Sequence, residues 1–108
     1  METRRDVFQA IADPTRRSIL TLVALQAMTP NAIAENFDSK RQTVSKHIQI
    51  LTECKLLKQK QEGREIFYQL NLKKMTEIND WLNPFMKLME NRLDNLEKYL
   101  DKIQNTKK

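Results

Sequence analysis

Hydrophobic residues along this chain recur first at helical intervals, then in a short run of different character, then again at helical intervals. Behind "DPTRR", Ile19, Leu20, Val23 and Ala27 fall on one helical face, with Asp13 placed to cap that helix and Pro14 to open it. A shorter helix ahead of it holds Val7, Phe8 and Ile11. "TPNAIAENF" repeats the device: Thr29 caps, Pro30 opens, Ile33, Ala34 and Phe37 point inward, and Asp38 and Ser39 break the helix. In "SKRQTVSKHIQIL" (Ser39 to Leu51), Val44, Ile48 and Leu51 stand at i, i+4 and i+7, the spacing of a buried stripe. After Cys54 the period changes. "LLKQKQ" and "REIFYQLN" flank "EGR", and Ile66, Phe67, Tyr68 and Leu70 bring β-branched and aromatic character. Around the only glycine, Gly63, this pattern predicts a β-hairpin. From about Lys73 to about Ile103 the chain reads as helix again.

The order is helix, helix, short helix, helix, hairpin, long helix. A short helix, a tight turn and a second amphipathic helix make a helix-turn-helix, and a hairpin directly after it makes a winged helix. The expected class is mainly α with a small β-hairpin: a winged helix-turn-helix with a long C-terminal dimerisation helix. At 108 residues the chain fits one domain, 1–108, with residues 72–104 as that last helix.

The polar side of the fourth helix is where chemistry gathers. With Val44 at the centre of the buried face and 100° per residue, Gln42, Ser45, Lys46 and Gln49 collect on the exposed side, with Arg41 at its edge. Glu53, at the far end, is the one acid there. Amide, hydroxyl, ammonium and guanidinium groups are those that bind base edges and phosphates in a major groove, and the helix N-terminus adds a dipole favourable to phosphate. A merely solvated face has a similar composition. The place of this helix, after a short helix and before a hairpin, favours recognition of double-stranded DNA, as does a formal net charge of +5.

Other classes find little support. Cys54 is the single cysteine and His47 the single histidine, so there is no intramolecular disulfide, no multi-cysteine zinc site and no nucleophile–His–acid set; no cofactor and no enzymatic activity are expected. His47 flanks the buried stripe, where a packed, hydrogen-bonded residue is expected rather than a ligand. Cys54 beside the core stripe reads as a structural thiol. No apolar stretch approaches membrane-spanning length, and a reducing cytoplasm suits the lone thiol. A winged helix used only to bind protein is the alternative function. It predicts tight self-association with little DNA affinity.

Three motifs in order, "ADPTRRSIL" (Ala12 to Leu20), "FDSKRQTVSKHIQIL" (Phe37 to Leu51) and "EGREIFYQL" (Glu62 to Leu70), resemble the ArsR-type winged-helix repressors over nearly the whole chain. "INDWLNPFMKLMENRLDNLEKYL" (Ile78 to Leu100) resembles the last helix of a subgroup that lacks the metal-sensing motifs and includes autorepressors. The resemblance implies DNA contacts from Arg41, Gln42, Ser45 and Lys46, the residues that the helical wheel also selects, with Lys40 and Thr43 touching phosphate or staying solvated. It further implies a wing, carrying Lys58, Lys60 and Arg64, that straddles the DNA backbone, with Arg64 at its tip. No metal response is expected: the short helix and the following turn lack Cys and His, and the last helix lacks His. Asp80, Glu90, Asp94, Glu97 and Asp101 lack the softer ligands of a selective transition-metal site.

Ile78, Leu82, Phe85, Met89, Leu93, Leu96, Leu100 and Ile103 form a nearly continuous stripe on the last helix, widened by Trp81, Met86, Leu88 and Tyr99. A helix this long has more apolar face than a small winged-helix core covers, and the simplest cover is a second copy. The expected homodimer interface is Val7, Phe8, Ile11, Trp81, Phe85, Met89, Leu93, Leu96 and Leu100. A kink or helix boundary is expected at Pro84. Met75, Met86 and Met89 near it would suit a small hydrophobic effector, although core packing accounts for them equally. The operator and any inducing signal are not legible.

Overall fold

The computed structural model describes residues 6–106. Its elements are α1 (Val7–Ala10), α2 (Pro14–Leu25), α3 (Pro30–Ala34), α4 (Arg41–Glu53), β1 (Leu57–Glu62), β2 (Glu65–Leu70) and α5 (Leu72–Thr106). They fall into a globular unit ending at Ile78 and a helical unit beginning at Asn79. The division lies inside α5 rather than at a linker.

Each short helix of the globular unit starts at a side chain that satisfies an orphan backbone donor. Asp6 Oδ1 accepts from the Gln9 N–H at 2.8 Å while the Gln9 amide oxygen accepts from the Asp6 N–H, a capping box. Asp13 Oδ1 accepts from the Arg16 N–H at 3.1 Å and Thr29 Oγ1 from the Ala32 N–H at 3.2 Å, with Pro14 and Pro30 in the first turns. α4 differs. Lys40 stands at its N-cap and makes no side-chain capping bond. The far end of α4 closes without a glycine: Lys55 takes φ +69°, which lets the Leu56 N–H reach the Leu51 carbonyl at 3.0 Å.

Burial of Asp13 by itself would push its carboxyl up. The backbone N–H groups of Arg16 and Thr15 outweigh this, and the Arg16 guanidinium acts in the same direction, so the carboxyl is held below the ordinary aspartate value. A carboxylate whose folded pKa is depressed contributes stability that is fully present above its unfolded value and fades as pH falls through the folded one. Asp13→Ala should therefore cost about 1 kcal/mol at neutral pH. The deficit should shrink in acid, as pH falls through the depressed folded value and the wild-type carboxylate protonates. Asp13→Asn keeps the cap and should restore most of the loss. Thermal melts of the three proteins across this range check the prediction.

The core of the globular unit is built from α1 to α4 and the start of β1: Val7 and Ala10 of α1; Ile19, Leu20 and Val23 of α2; Ile33 of α3; Val44, Ile48 and Leu51 of α4; and Leu56 and Leu57 entering the hairpin. Met75 and Ile78, in the first turns of α5, pack against it. Ala27 does not belong to the α2 stripe. The helix ends at Leu25, and Ala27 is exposed beyond it. Ile50 is buried as well, which widens the inner face of α4.

The hairpin pairs antiparallel from Leu57↔Leu70 at its base to Glu62↔Glu65 at its tip. Gly63 and Arg64 form the two-residue loop, and Gly63 takes φ +63°, a conformation such tight turns require and glycine adopts freely. The outer edge of β2 is partly covered. Met28 exchanges two backbone hydrogen bonds with Tyr68, at 3.1 and 2.7 Å, and so fastens the α2–α3 connection to the wing.

In the helical unit α5 runs through Pro84 to Thr106, so of the kink or boundary expected at that proline the boundary is absent. The missing hydrogen bond is a single one, and the carbonyl it would have served belongs to exposed Asp80, where water can donate instead. The large apolar residues of this unit, among them Phe85, Met89, Leu93, Leu96 and Leu100, are about half exposed. Trp81 and Phe85 pack one turn apart with ring centroids at 4.9 Å and ring planes tilted by 49°.

Candidate nucleic-acid interface

α4 separates its two faces cleanly. Val44, Ile48, Ile50 and Leu51 are buried, whereas Arg41, Gln42, Thr43, Ser45, Lys46 and Gln49 are exposed, together with Lys40 at the N-cap. The buried stripe fixes which way the polar side points. The structure thus brings seven of the eight sequence-predicted nucleic-acid contacts, Lys40 to Gln49, onto one helix and its first turn. Gln49 donates through Nε2 to Glu53 Oε2 at 3.3 Å across one exposed turn, an interaction that water contests. Arg64, the eighth, occupies the hairpin tip, roughly 20 Å from the hairpin base by strand rise. There it shares a shallow hollow with Thr29, Pro30 and Asn31 at the start of α3. Lys60 pairs with Glu62 at 3.3 Å, both exposed, so it is partly neutralised on the wing; Lys58 is exposed nearby.

Between α4 and the hairpin lies an open cleft of about 300 Å³ lined by Ser45, Ile48, Gln49, Thr52, Glu53, Gln59 and Tyr68, with Pro30 at its edge. Gln59 Nε2 donates to the Tyr68 hydroxyl at 3.1 Å within it. Sequence reasoning missed this cleft, because Tyr68 and Gln59 meet α4 only through the tertiary fold.

His47 lies at the edge of the buried face, with Nδ1 3.2 Å from Arg16 Nη1. This agrees with its reading as a packed, hydrogen-bonded residue; its partner went unforeseen. Cys54 is buried, and its Sγ donates to the Leu51 carbonyl at 3.4 Å. Burial pushes this thiol up, against weaker pulls from neighbouring N–H groups and from Lys74 and Arg16. A protonated, enclosed thiol is a poor nucleophile, which opposes a thiol switch. Among the described residues no three His, Cys, Asp or Glu side chains converge as a metal centre requires, and no helix is long and apolar enough to cross a membrane.

Of the expected dimer residues, Val7 is placed differently. It is 1% exposed and belongs to the core of its own globular unit, because the short α1 turns that side chain inward. Phe8, the next residue, is exposed and Ile11 is half-buried.

A helix-turn-helix whose second helix is polar and basic outside, followed at once by a two-stranded wing, defines a winged-helix DNA-binding transcriptional regulator. Residues 11–60 match the model of a helix-turn-helix domain family. The chain is 35% identical to the transcriptional repressor SdpR of Bacillus subtilis over 82% of its own length and 98% of that protein. An ArsR-like transcriptional regulator from Rhodococcus sp. RHA1 superposes with a TM-score of 0.67 at 27% identity, covering 85% of this chain and 87% of that one. A homodimeric winged helix-turn-helix DNA-binding domain from Mycobacterium bovis, at 23% identity and a TM-score of 0.60 over 75% of each chain, shares the fold. The chain belongs to the ArsR-type winged-helix transcriptional regulators.

Proposed function

We propose that this protein is a homodimeric, cytoplasmic repressor that reads an inverted-repeat operator with α4 of each copy. The observation that carries the reading is the exposed face of α4, where Arg41, Gln42, Ser45, Lys46 and Gln49 stand together above a buried stripe. In this reading Arg41 and Lys46 serve guanine edges or phosphate, and Gln42 and Gln49 offer amides to adenine. Lys40 and Thr43 hold phosphate at the uncapped helix start. Arg64 reaches the backbone or minor groove beside the wing.

The two copies meet through Trp81, Phe85, Met89, Leu93, Leu96 and Leu100 of α5, with Phe8 and Ile11 nearby. Residues 72–104 thus act as a dimerisation helix appended to one DNA-binding domain. The half-exposed stripe of α5 supports this, as does the homodimeric state of the Mycobacterium bovis fold relative. Two-fold symmetry sets the α4 helices in successive major grooves about 34 Å apart. Occupying an operator that overlaps a promoter blocks RNA polymerase. The resemblance to autorepressors makes the chain's own promoter the first candidate, and the sole histidine and buried thiol favour regulation without metal.

The test is a gel shift against the chain's own upstream region over a salt series, with competitor DNA. The expected result is preferential binding with log K falling against log salt at a slope of about −4 to −7, the contribution of several phosphate contacts per copy. Binding equal to that of competitor would overturn autoregulation. Equal binding across a genomic fragment library as well would overturn sequence-specific reading.

A further inference from the structure

The "DPTRR" segment does more than start α2. Its arginines turn back onto the end of α1. Arg16 Nε donates to the Ala10 carbonyl at 2.7 Å and Nη2 to the Gln9 carbonyl at 3.3 Å, while Arg17 Nη1 donates to the Ile11 carbonyl at 2.7 Å. The Ala10 and Ile11 carbonyls are among those that a terminating helix leaves without backbone partners, while the Gln9 carbonyl also accepts the Ala12 N–H at 3.3 Å, and a cation is favoured at such an end. The remaining guanidinium nitrogen of Arg16, Nη1, faces His47 Nδ1 at 3.2 Å. A guanidinium only donates, so the ring nitrogen facing it accepts and carries no proton of its own. One half-buried side chain therefore joins the last carbonyls of α1, the first turn of α2 and the middle of α4.

His47 is the one α4 side chain in this junction, and its sequence neighbour Lys46 lies on the reading face. The aliphatic stripe of Val44, Ile48 and Leu51 holds α4 against the core through contacts that have no direction. A hydrogen bond from a charged donor does have one. The distinction matters because side-chain tips lie about 5–6 Å from a helix axis, so a 10° roll of α4 moves them by about 1 Å. That displacement takes a base contact outside hydrogen-bonding range.

We propose that Arg16 is a positioning residue for operator reading: through His47 it sets the roll of α4, and through the end of α1 it ties that roll to the region beside Phe8. The inference rests on α4 being the reading helix. It assigns to Arg16 a share in specificity without contact to DNA.

The experiment compares operator and random-sequence affinities of wild type, Arg16→Gln, His47→Ala, the double variant and His47→Asn, using the upstream fragment bound in the salt series. Melting temperatures are recorded for each protein. Asparagine can present an acceptor close to the position of Nδ1. Arg16→Gln and His47→Ala should each lower operator affinity about tenfold, the scale of one charge-assisted hydrogen bond. Random-sequence affinity, which follows charge and phosphate contact, should change by no more than about twofold. The double variant should be no weaker than the weaker single one, and His47→Asn should recover most of the loss. Additive effects, parallel losses on both DNAs, or no recovery with asparagine would overturn the proposal. Should Arg16→Gln fail to fold, the contrast between alanine and asparagine at position 47 decides alone. A wild type without operator preference would overturn the reading of α4 and this inference with it.

Discussion

Replacing Arg41, Gln42 and Lys46 together with alanine should lower operator affinity at least about a thousandfold and leave the melting temperature within a few degrees of wild type. A good side-chain contact to a base edge contributes about 1–3 kcal/mol of discrimination, and a two-fold dimer uses each residue twice. Even with strong non-additivity, the sum exceeds the roughly 4 kcal/mol that a thousandfold change requires. The fold has little stake in these residues. All three are exposed on α4, none belongs to the core, and alanine is the best helix former. What remains should be weak, sequence-indifferent binding, with a salt slope shallower by about one for each phosphate left without its cationic partner. Fluorescence anisotropy on operator and scrambled duplexes, paired with thermal melts, separates the two effects. Operator affinity that survives the triple substitution would move the reading surface away from α4.

The second large effect concerns assembly. Leu93→Glu sets a carboxylate at the middle of the α5 stripe, and two-fold symmetry buries a second one in the same interface. Desolvating these charges costs several kcal/mol per ion, so self-association should weaken at least about a hundredfold. Leu93 is 55% exposed within its own chain, so the protomer itself should fold unchanged. Sedimentation velocity should show a dimer for wild type and a monomer for the variant at micromolar concentration. Operator affinity should fall in parallel, because a single α4 grips only one half-site. A variant that stays dimeric would transfer the interface to another surface. The exposed Phe8, Leu25 and Leu72 of the globular unit would be the next to test.

Much of the fold was legible because its signals are short-range. Asp13, Pro14, Thr29 and Pro30 punctuate the chain within a few residues of the helices they start, and Gly63 sits in the one loop that demands a positive φ. The exposed polar face of α4 followed from the helical period, since burying Val44, Ile48 and Leu51 forces Gln42, Ser45, Lys46 and Gln49 outward. The end of α4 was legible in the change of period after Cys54, although Lys55, not a glycine, takes the left-handed position there. At Pro84 the local rule allowed a kink or a boundary, and the boundary is absent: the residue disfavours helix, yet a long helix with an exposed carbonyl one turn back absorbs the loss.

By itself, then, the sequence determined the order and kind of the elements, the polar and apolar sides of α4, and the surplus apolar stripe of α5, all properties that repeat within a turn or two of backbone. Only the tertiary structure decided that Val7 is core while Phe8 is surface, that Met28 closes the edge of β2, and that Arg16 reaches His47, 31 residues away. The reason is physical. Periodicity and capping act between near neighbours on one helix or strand, whereas these contacts depend on how α1, α2, α4 and the hairpin close around a shared core, and that geometry is a property of the whole packed unit.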